Sequence, residues 1–349
     1  MPAPVLVFDI ESIPDVAGLR LLRGMPPESS DDEVYAAEIA DRASRNKGDF
    51  MPHHLQRVLV VSCVFRNREG LRIHSLVDRS TGGPTQEGRV IQSFFNLIER
   101  HEPQLVSWNG GGFDLPVLHH RGLVHGVCAS KYWDMGQDPD GDRDYRYNHY
   151  IGRYHMRHVD LMDVLAMYGR GPAPLDAMAK LCGFPGKLGM DGSQVFPAWR
   201  EGRLEEVRRY CETDVMNTYL LWCRFQRMRG GLSDIAYADE IRLVQETVAA
   251  AGEPHWDEYL RAWPGLGSAA LGSAGTAPGE HTGPPGPAGA GAADAAVAPI
   301  PSAGSIGSDP AGRTPESIAS AGLVAPPVVV VETTTTTTEV YIDASSIPR

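Results

Sequence analysis

The chain has 349 residues and a formal net charge of −12, from 32 basic and 44 acidic side chains, so it is long enough for one large domain or two ordinary ones with a well-packed core. Its five cysteines, Cys63, Cys128, Cys182, Cys211 and Cys223, are odd in number and lie at least 12 residues apart, which argues against a disulfide framework or a structural zinc site. The acidity excludes a histone-like grip on nucleic acid but leaves room for binding through metal ions.

The start, MPAPVLVFDIES, has no basic leader, and the longest apolar run, Val58 to Phe65, is far too short to span a membrane; a soluble, cytoplasmic protein is expected. Val5 to Glu11 is β-branched and apolar up to its acidic end, like a central strand covered on both faces. Further strands are expected at Val58 to Phe65, Leu71 to Leu76 and Leu105 to Trp108. Between the last two, the apolar residues of Val90 to Arg100 recur at three- and four-residue steps, as on an amphipathic helix. Helices are expected at Leu175 to Cys182, Leu204 to about Arg229 and Ser233 to about Ala251, before PHWDEYLRAW closes the ordered part. Strands followed by alternation with helices suggest an α/β fold. Residues 264–349 hold 13 Gly and 12 Pro among 86 residues, the level at which a segment reads as disordered. The expected division is therefore a domain over 1–263 and a disordered tail over 264–349. Within the tail, Val328 to Asp343 is β-prone and could add a strand to a partner's sheet edge, with low-complexity filler as the alternative.

Three groups of residues bear on chemistry. Asp9 and Glu11 sit one residue apart at the exit of the first strand, so period-two geometry puts both on one face. Burying two acids there is costly unless a cation lies between them; a solvated strand end is the alternative. NGGGFDLPVL, Asn109 to Leu118, follows a strand and opens a helix, with Asp114 in its first turn. Its glycines allow a sharp turn or close approach of a ligand, or it is a strand-to-helix turn with an acid favoured by the helix dipole. In RRYCETDVMNTYLLW, Tyr210 and Asp214 stand four residues apart on one helix face, converging on a site or simply placed at a surface.

Taken together, D-x-E on the first strand, N-x-x-x-F-D about 100 residues later and Y-x-x-x-D on a helix about 100 residues after that resemble the four-acid 3′–5′ exonucleases of the tyrosine subclass. The similarity is greatest to the stand-alone enzymes related to the proofreading domain of family-B DNA polymerases. It covers roughly residues 3 to 262, including PGKLGMDGSQV and the closing helices. The histidine subclass carries its histidine five residues before the last acid, where this chain has Arg209.

The resemblance implies an RNase H-like mixed sheet flanked by helices and a site of Asp9, Glu11, Asp114, Tyr210 and Asp214. The four acids would hold two divalent ions, Mg²⁺ or Mn²⁺, for two-metal phosphodiester hydrolysis, and Tyr210 would orient the attacking water, since a phenol is a poor base at neutral pH. Ser12 and Ile13 would meet the terminal nucleotide, and Asn109 and Phe113 would take substrate-side or packing roles. The implied activity is 3′–5′ exonuclease action on single-stranded nucleic acid, DNA before RNA, with release of nucleoside 5′-monophosphates and a family-level link to DNA repair. The alternatives are an exoribonuclease or oligonucleotide trimmer, and a non-catalytic nucleic-acid-binding module with the same fold. Protein partners are not indicated.

Other residues bear on substrate grip. Arg143 to His158 interleaves four Arg, four Tyr and three His with one acid, a mixture that can stack bases and contact phosphates. Arg146 and Tyr150 are its candidate contacts, an exposed irregular segment being the alternative. Asp160 is read as a support for the site or a helix cap and is not assigned metal; Lys187 as a phosphate contact or an ordinary loop lysine. The pairs His53–His54 and His119–His120 are read as solvated. The acidic surface predicts low processivity and weakening by salt.

Overall fold

In the computed structural model, the described residues are 4–80, 85–137, 143–169 and 171–264. The elements run β1 (Val5–Pro14), α1 (Val16–Arg23), α2 (Asp31–Ser44), β2 (Gln56–Asn67), β3 (Gly70–Val77), α3 (Glu87–His101), β4 (Gln104–Ser107), α4 (Asp114–His125), α5 (Ser130–Trp133), β5 (His158–Asp160), α6 (Leu161–Leu165), α7 (Leu175–Leu181), α8 (Val195–Arg200), α9 (Leu204–Met228), α10 (Asp234–Ala251) and α11 (Pro254–Ala262). The five strands form one mixed sheet in the order β3-β2-β1-β4-β5. β1 is antiparallel to β2 and parallel to β4, and β4 is parallel to β5. This is the α/β sheet flanked by helices that the sequence leads one to expect.

Both faces of β1 are covered, which is why its apolar run is continuous. Leu6, Phe8 and Ile10 pack with Val90, Ile91 and Phe94 of α3 and Leu115 and Leu118 of α4, whereas Val5 and Val7 pack with Val215, Met216 and Tyr219 of α9. The 25-residue α9 is buried at almost every position from Tyr210 to Cys223, because it lies across the sheet and is itself covered by α10 and α11. β2 and β3 form a hairpin whose turn is held by the Asn67 Oδ1, accepting from the N–H groups of Glu69 and Gly70.

β1, β2 and β3 extend beyond their expected ends, whereas β4 is shifted by one residue and stops at Ser107 rather than Trp108. β1 runs on to Pro14 through an irregularity at Glu11/Ser12, where Glu11 pairs with Val60 but Ser12 with Val58. One additional β2 residue thus bulges next to the acid pair, and such bulges re-aim side chains. The helices over Val16–Arg23 and Asp31–Ser44 lie outside the expected set. Their signals are local: the Asp15 side chain accepts from Gly18 N–H, and Ser30 and Glu33 form a reciprocal capping box. The three-residue β5 is too short for any periodicity. No helix among the described residues is long and apolar enough to cross a membrane. Beyond Pro264, the expected tail and its β-prone segment lie outside the described residues.

Candidate active site

Asp9 and Glu11 leave the central strand on the face that α9 covers, and α9 meets them with Tyr210 and Asp214 one turn apart. Asp114 arrives from the first turn of α4, where its Oδ1 accepts from the Ile10 backbone N–H at 3.0 Å. Glu11, Asp114 and Asp214 are buried, at 9, 4 and 2% exposure. Four carboxylates from three separate chain segments therefore converge at the middle of the sheet.

The turn that delivers Asp114 depends on close approach. Asn109 adopts φ 68°, and a Cβ on Gly110 would collide with the Ser107 hydroxyl. Asp160 holds this turn shut. Its Oδ1 accepts from Asn109 N–H at 2.9 Å and its Oδ2 from Gly111 N–H at 2.9 Å. The same carboxylate caps α6 through the N–H groups of Met162 and Asp163. Of the two roles open to Asp160, helix capping is present, and it is combined with bracing of the Asp114 turn.

The structure brings in a side chain that sequence reasoning left in a loop. Lys187 Nζ donates to the Tyr210 hydroxyl and to Asp214 Oδ2, each at 2.5 Å. Its placement is built from buried contacts. Gly186 lies at φ 75°, and a Cβ there would meet Asp176 Oδ1 at 2.5 Å. Asn217 of α9 grips the Gly186 backbone, accepting from its N–H at 3.3 Å and donating to its carbonyl at 2.8 Å. Tyr259 of α11 in turn donates to Asn217 Oδ1 at 2.8 Å. The legible signal was a lysine following a glycine in PGKLG, with an asparagine one turn beyond Tyr210 and Asp214 on α9. Cys211 was also missed: its buried thiol lies 3.6 Å from Asp9 Oδ2 and 3.5 Å from the Asp9 carbonyl.

Electrostatics follow from this geometry. Burial raises the Asp9 carboxyl well above its ordinary value, and Asp114 and Asp214 add to the shift, with Lys187 opposing it. Glu11 is raised by burial and then by Asp9 and Asp214. Burial pushes Asp114 up to about 7, against the backbone N–H groups that favour its charged form. Asp214 is raised by burial, with Lys187 opposing. Burial works against the Lys187 charge, but Asp214, Asp9 and Glu11 outweigh it and hold the ammonium charged. Burial, then Asp214, Glu11 and Asp9, drives the Tyr210 phenol far up, so it stays protonated.

These residues fit divalent cations. Asp214 Oδ1 is buried without a hydrogen-bond partner, a costly condition unless another group engages it. Among the described residues Lys187 is the one cationic side chain hydrogen-bonded to the cluster, which leaves the four carboxylates short of positive charge. Asp9, Glu11 and Cys211 offer ligand atoms within 4.8 Å of one another, and hard carboxylate oxygens suit Mg²⁺ or Mn²⁺.

The remaining candidates divide. Ser12 lies beside the acids, with its hydroxyl donating to Gln56 Oε1 at 3.1 Å. Ile13 is 1% exposed and packs with Val195, Val207 and Tyr210, so it shapes the floor behind Tyr210 rather than a surface for a nucleotide. Phe113 sits between Phe50 and His53, at ring distances of 5.4 and 5.7 Å. Within the Arg143–His158 segment Tyr147 and Tyr154 are exposed, but the candidate contact Tyr150 is no stacking surface: it is 1% exposed, stacks on Tyr132 and donates to the Pro103 carbonyl at 2.8 Å. Its ring is spent on packing, stacked on Tyr132 and met edge-on by the equally buried Tyr145. Arg146 is exposed beside Gly136. His119 is also not solvated. It is half-buried against Tyr132 and Trp133, and burial pushes it down to about 4.

Two known groups of proteins resemble the chain. The family described as "Predicted 3′-5′ exonuclease related to the exonuclease domain of PolB" matches residues 48–263, more than half of the chain, with Asp114, Lys187, Tyr210 and Asp214 inside the match and Asp9 and Glu11 ahead of it. A solved structure of E. coli Exonuclease I in complex with a 5cy-dT13 oligonucleotide is similar at 12% identity and a TM-score of 0.26, over 67% of this chain and 46% of that one. The chain thus spans about half the length of that protein. No curated protein matches the sequence. The chain belongs to the family of 3′–5′ exonucleases related to the exonuclease domain of PolB.

Proposed function

We propose that this chain is a metal-dependent exonuclease that removes nucleoside 5′-monophosphates from the 3′ end of single-stranded nucleic acid, DNA in preference to RNA. The observation that carries this reading is the convergence of four carboxylates on one site, with Asp214 Oδ1 left unpartnered. The catalytic domain is taken as residues 1–263, with 264–349 outside it.

In this reading Asp9, Glu11, Asp114 and Asp214 hold two Mg²⁺ or Mn²⁺ ions, which supply a nucleophile at neutral pH and offset charge on the reacting phosphate. The protein's own residues position everything else. Tyr210 stays protonated and serves as a hydrogen-bonding post for the attacking water, not as a base. Lys187 fixes the Tyr210 hydroxyl and the Asp214 carboxylate relative to each other, which makes it a positioning residue. Asp160 keeps the turn that carries Asp114 closed. Ser12 and Asn109 flank the acids on the substrate side, and Phe113 supports that side through Phe50.

The test is a gel time course on 5′-labelled single-stranded DNA and matched RNA, with Mg²⁺, Mn²⁺ or EDTA, and Asp9→Ala as control. A ladder shrinking from the 3′ end, faster on DNA, abolished by EDTA and absent in Asp9→Ala, is expected. Wild-type rates in Asp9→Ala would end the assignment.

A further inference from the structure

Cys211 takes no part in the proposed exonuclease chemistry, yet its thiol reaches the acid cluster. It follows Tyr210 on α9 and is 0% exposed, packed with Ile13, Leu59, Val60 and Val207. A buried free cysteine usually serves as a small apolar filler, and these neighbours suit that role. The other side of the sulfur meets polar atoms instead. Cys211 Sγ lies 3.6 Å from Asp9 Oδ2 and 3.5 Å from the Asp9 carbonyl, and it joins Asp9 and Glu11 as a third ligand atom, all within 4.8 Å of one another.

Spacing and atom type together select an ion. Sulfur about 2.3 Å and oxygen about 2.1 Å from one tetrahedral ion stand about 3.6 Å apart, which is the separation of Cys211 Sγ and Asp9 Oδ2. Mg²⁺ demands near-octahedral oxygen ligation and Mn²⁺ also prefers oxygen, so neither recruits a thiol. Two carboxylates with a thiolate are instead the donor set of a thiophilic ion, and three protein ligands leave a tetrahedral ion one open position. A separate observation points to a cation here. Asp214, three residues beyond Cys211 on α9, is 2% exposed and its Oδ1 has no hydrogen-bond partner. Its charge acts on both Asp9 and Glu11, and Lys187 engages its other oxygen, Oδ2.

We infer that Asp9, Glu11 and Cys211 form a site for a thiophilic divalent cation, Zn²⁺ or Cd²⁺, which competes with Mg²⁺ or Mn²⁺ for the same two carboxylates. On binding, the Cys211 S–H bond gives way to a sulfur–metal bond and the proton leaves to solvent. Occupancy withdraws Asp9 and Glu11 from the hard ions, so the thiophilic ion is an inhibitor and not a cofactor. The site shares two acids with the proposed exonuclease centre, but its test reads ion binding and not turnover, so it stands or falls apart from that reading.

The experiment titrates Cd²⁺ into the metal-stripped full chain and follows the ultraviolet thiolate-to-cadmium charge-transfer band in wild type, Cys211→Ser and Glu11→Gln. Cys63, Cys128, Cys182 and Cys223 are common to all three, so their contribution cancels in the differences. Wild type should show a saturable band that Cys211→Ser lacks. In Glu11→Gln, which keeps the thiol, Cd²⁺ affinity should fall at least about tenfold, since losing even a residue that only supports a ligand costs about 10- to 100-fold. Calorimetry with Mn²⁺ should find its affinity changed less than about twofold in Cys211→Ser, because sulfur does not ligate that ion. A band of wild-type size in Cys211→Ser, or wild-type Cd²⁺ affinity in Glu11→Gln, would overturn the assignment. So would a loss of Mn²⁺ affinity in Cys211→Ser as large as the loss of Cd²⁺ affinity, the mark of a thiol that merely props Asp9. If Cys211→Ser does not fold, Glu11→Gln decides alone.

Discussion

Asp114 can hold its position only if α4 is seated firmly, and the seat is a buried ion pair. Arg121, two turns along α4, is 4% exposed and forks onto Glu87 of α3, which is fully buried, through Nε–Oε1 at 2.8 Å and a second bond to Oε2 at 2.6 Å. Glu87 Oε1 also accepts from Val58 N–H at 2.8 Å, tying the start of β2 to the same point. Arg121 further pairs with Asp15, the cap of α1. The substitution Arg121→Met keeps the aliphatic stem and removes the fork, which leaves the buried Glu87 carboxylate without its guanidinium, facing the Val58 N–H and the His125 ring at 2.7 Å. Breaking a buried pair from one side costs about 3–5 kcal/mol, a large part of the roughly 5–15 kcal/mol that holds a domain together. At about 2–4 °C per kcal/mol for a domain near this size, Tm should fall by about 6–20 °C. Urea denaturation of wild type, Arg121→Met, Glu87→Gln and the double variant measures this directly. Glu87→Gln keeps an acceptor for Val58 N–H, so the double variant should be clearly more stable than the sum of the single losses implies. A loss below about 1 kcal/mol for Arg121→Met, or strictly additive losses, would refute the claim that this pair seats α4.

Tyr210→Phe should leave folding intact and slow turnover about 10- to 100-fold, the worth of one hydrogen bond to a charged partner at about 1.5–3 kcal/mol, whereas Asp214→Ala should abolish it; single-turnover kinetics separate the two. Asp160→Ala removes a helix cap and the acceptor for Asn109 and Gly111 N–H, so a loss of at least about 1–2 kcal/mol in urea denaturation is expected, with a lower kcat as the Asp114 turn loosens. Asp78 opposes the cost of its burial by accepting from Ser80, Thr85 and Arg57, which holds it down at about 2 against an ordinary 3.8. Because the folded value is the lower one, its stabilisation is complete above pH 3.8 and disappears as pH falls towards 2. It is worth about 2 kcal/mol, so the stability gap between wild type and Asp78→Ala should narrow over that window in urea titrations. A gap that stays constant from pH 5 to pH 2.5 would contradict it. Turnover on oligonucleotides should weaken as salt rises, and digestion should be distributive; complete digestion of single strands under substrate excess would contradict the latter.

Local physics was legible in the sequence. The apolar run of β1, the amphipathic spacing of α3 and the long α9 follow from side-chain periodicity, which neighbouring residues alone determine. The pairings of Asp9 with Glu11 and of Tyr210 with Asp214 were readable for the same reason, since a strand or a helix places such residues on one face. What periodicity cannot express is which faces meet. The sheet order with β1 at its centre set α9 over the acid pair, and it let Asp114 reach the Ile10 backbone from beyond the end of the adjacent parallel strand β4. Lys187 entered the site because Asn217 and Tyr259 hold the Gly186 backbone, contacts made between residues 31 and 42 positions apart. Tyr150 and Tyr145 had the composition of an exposed grip, yet the space beneath α3 and α5 took both rings. The chain alone determined which elements form and which residues share a face. Only the tertiary structure decided which carboxylates lose their water together, because that cost arises where distant segments close over one another.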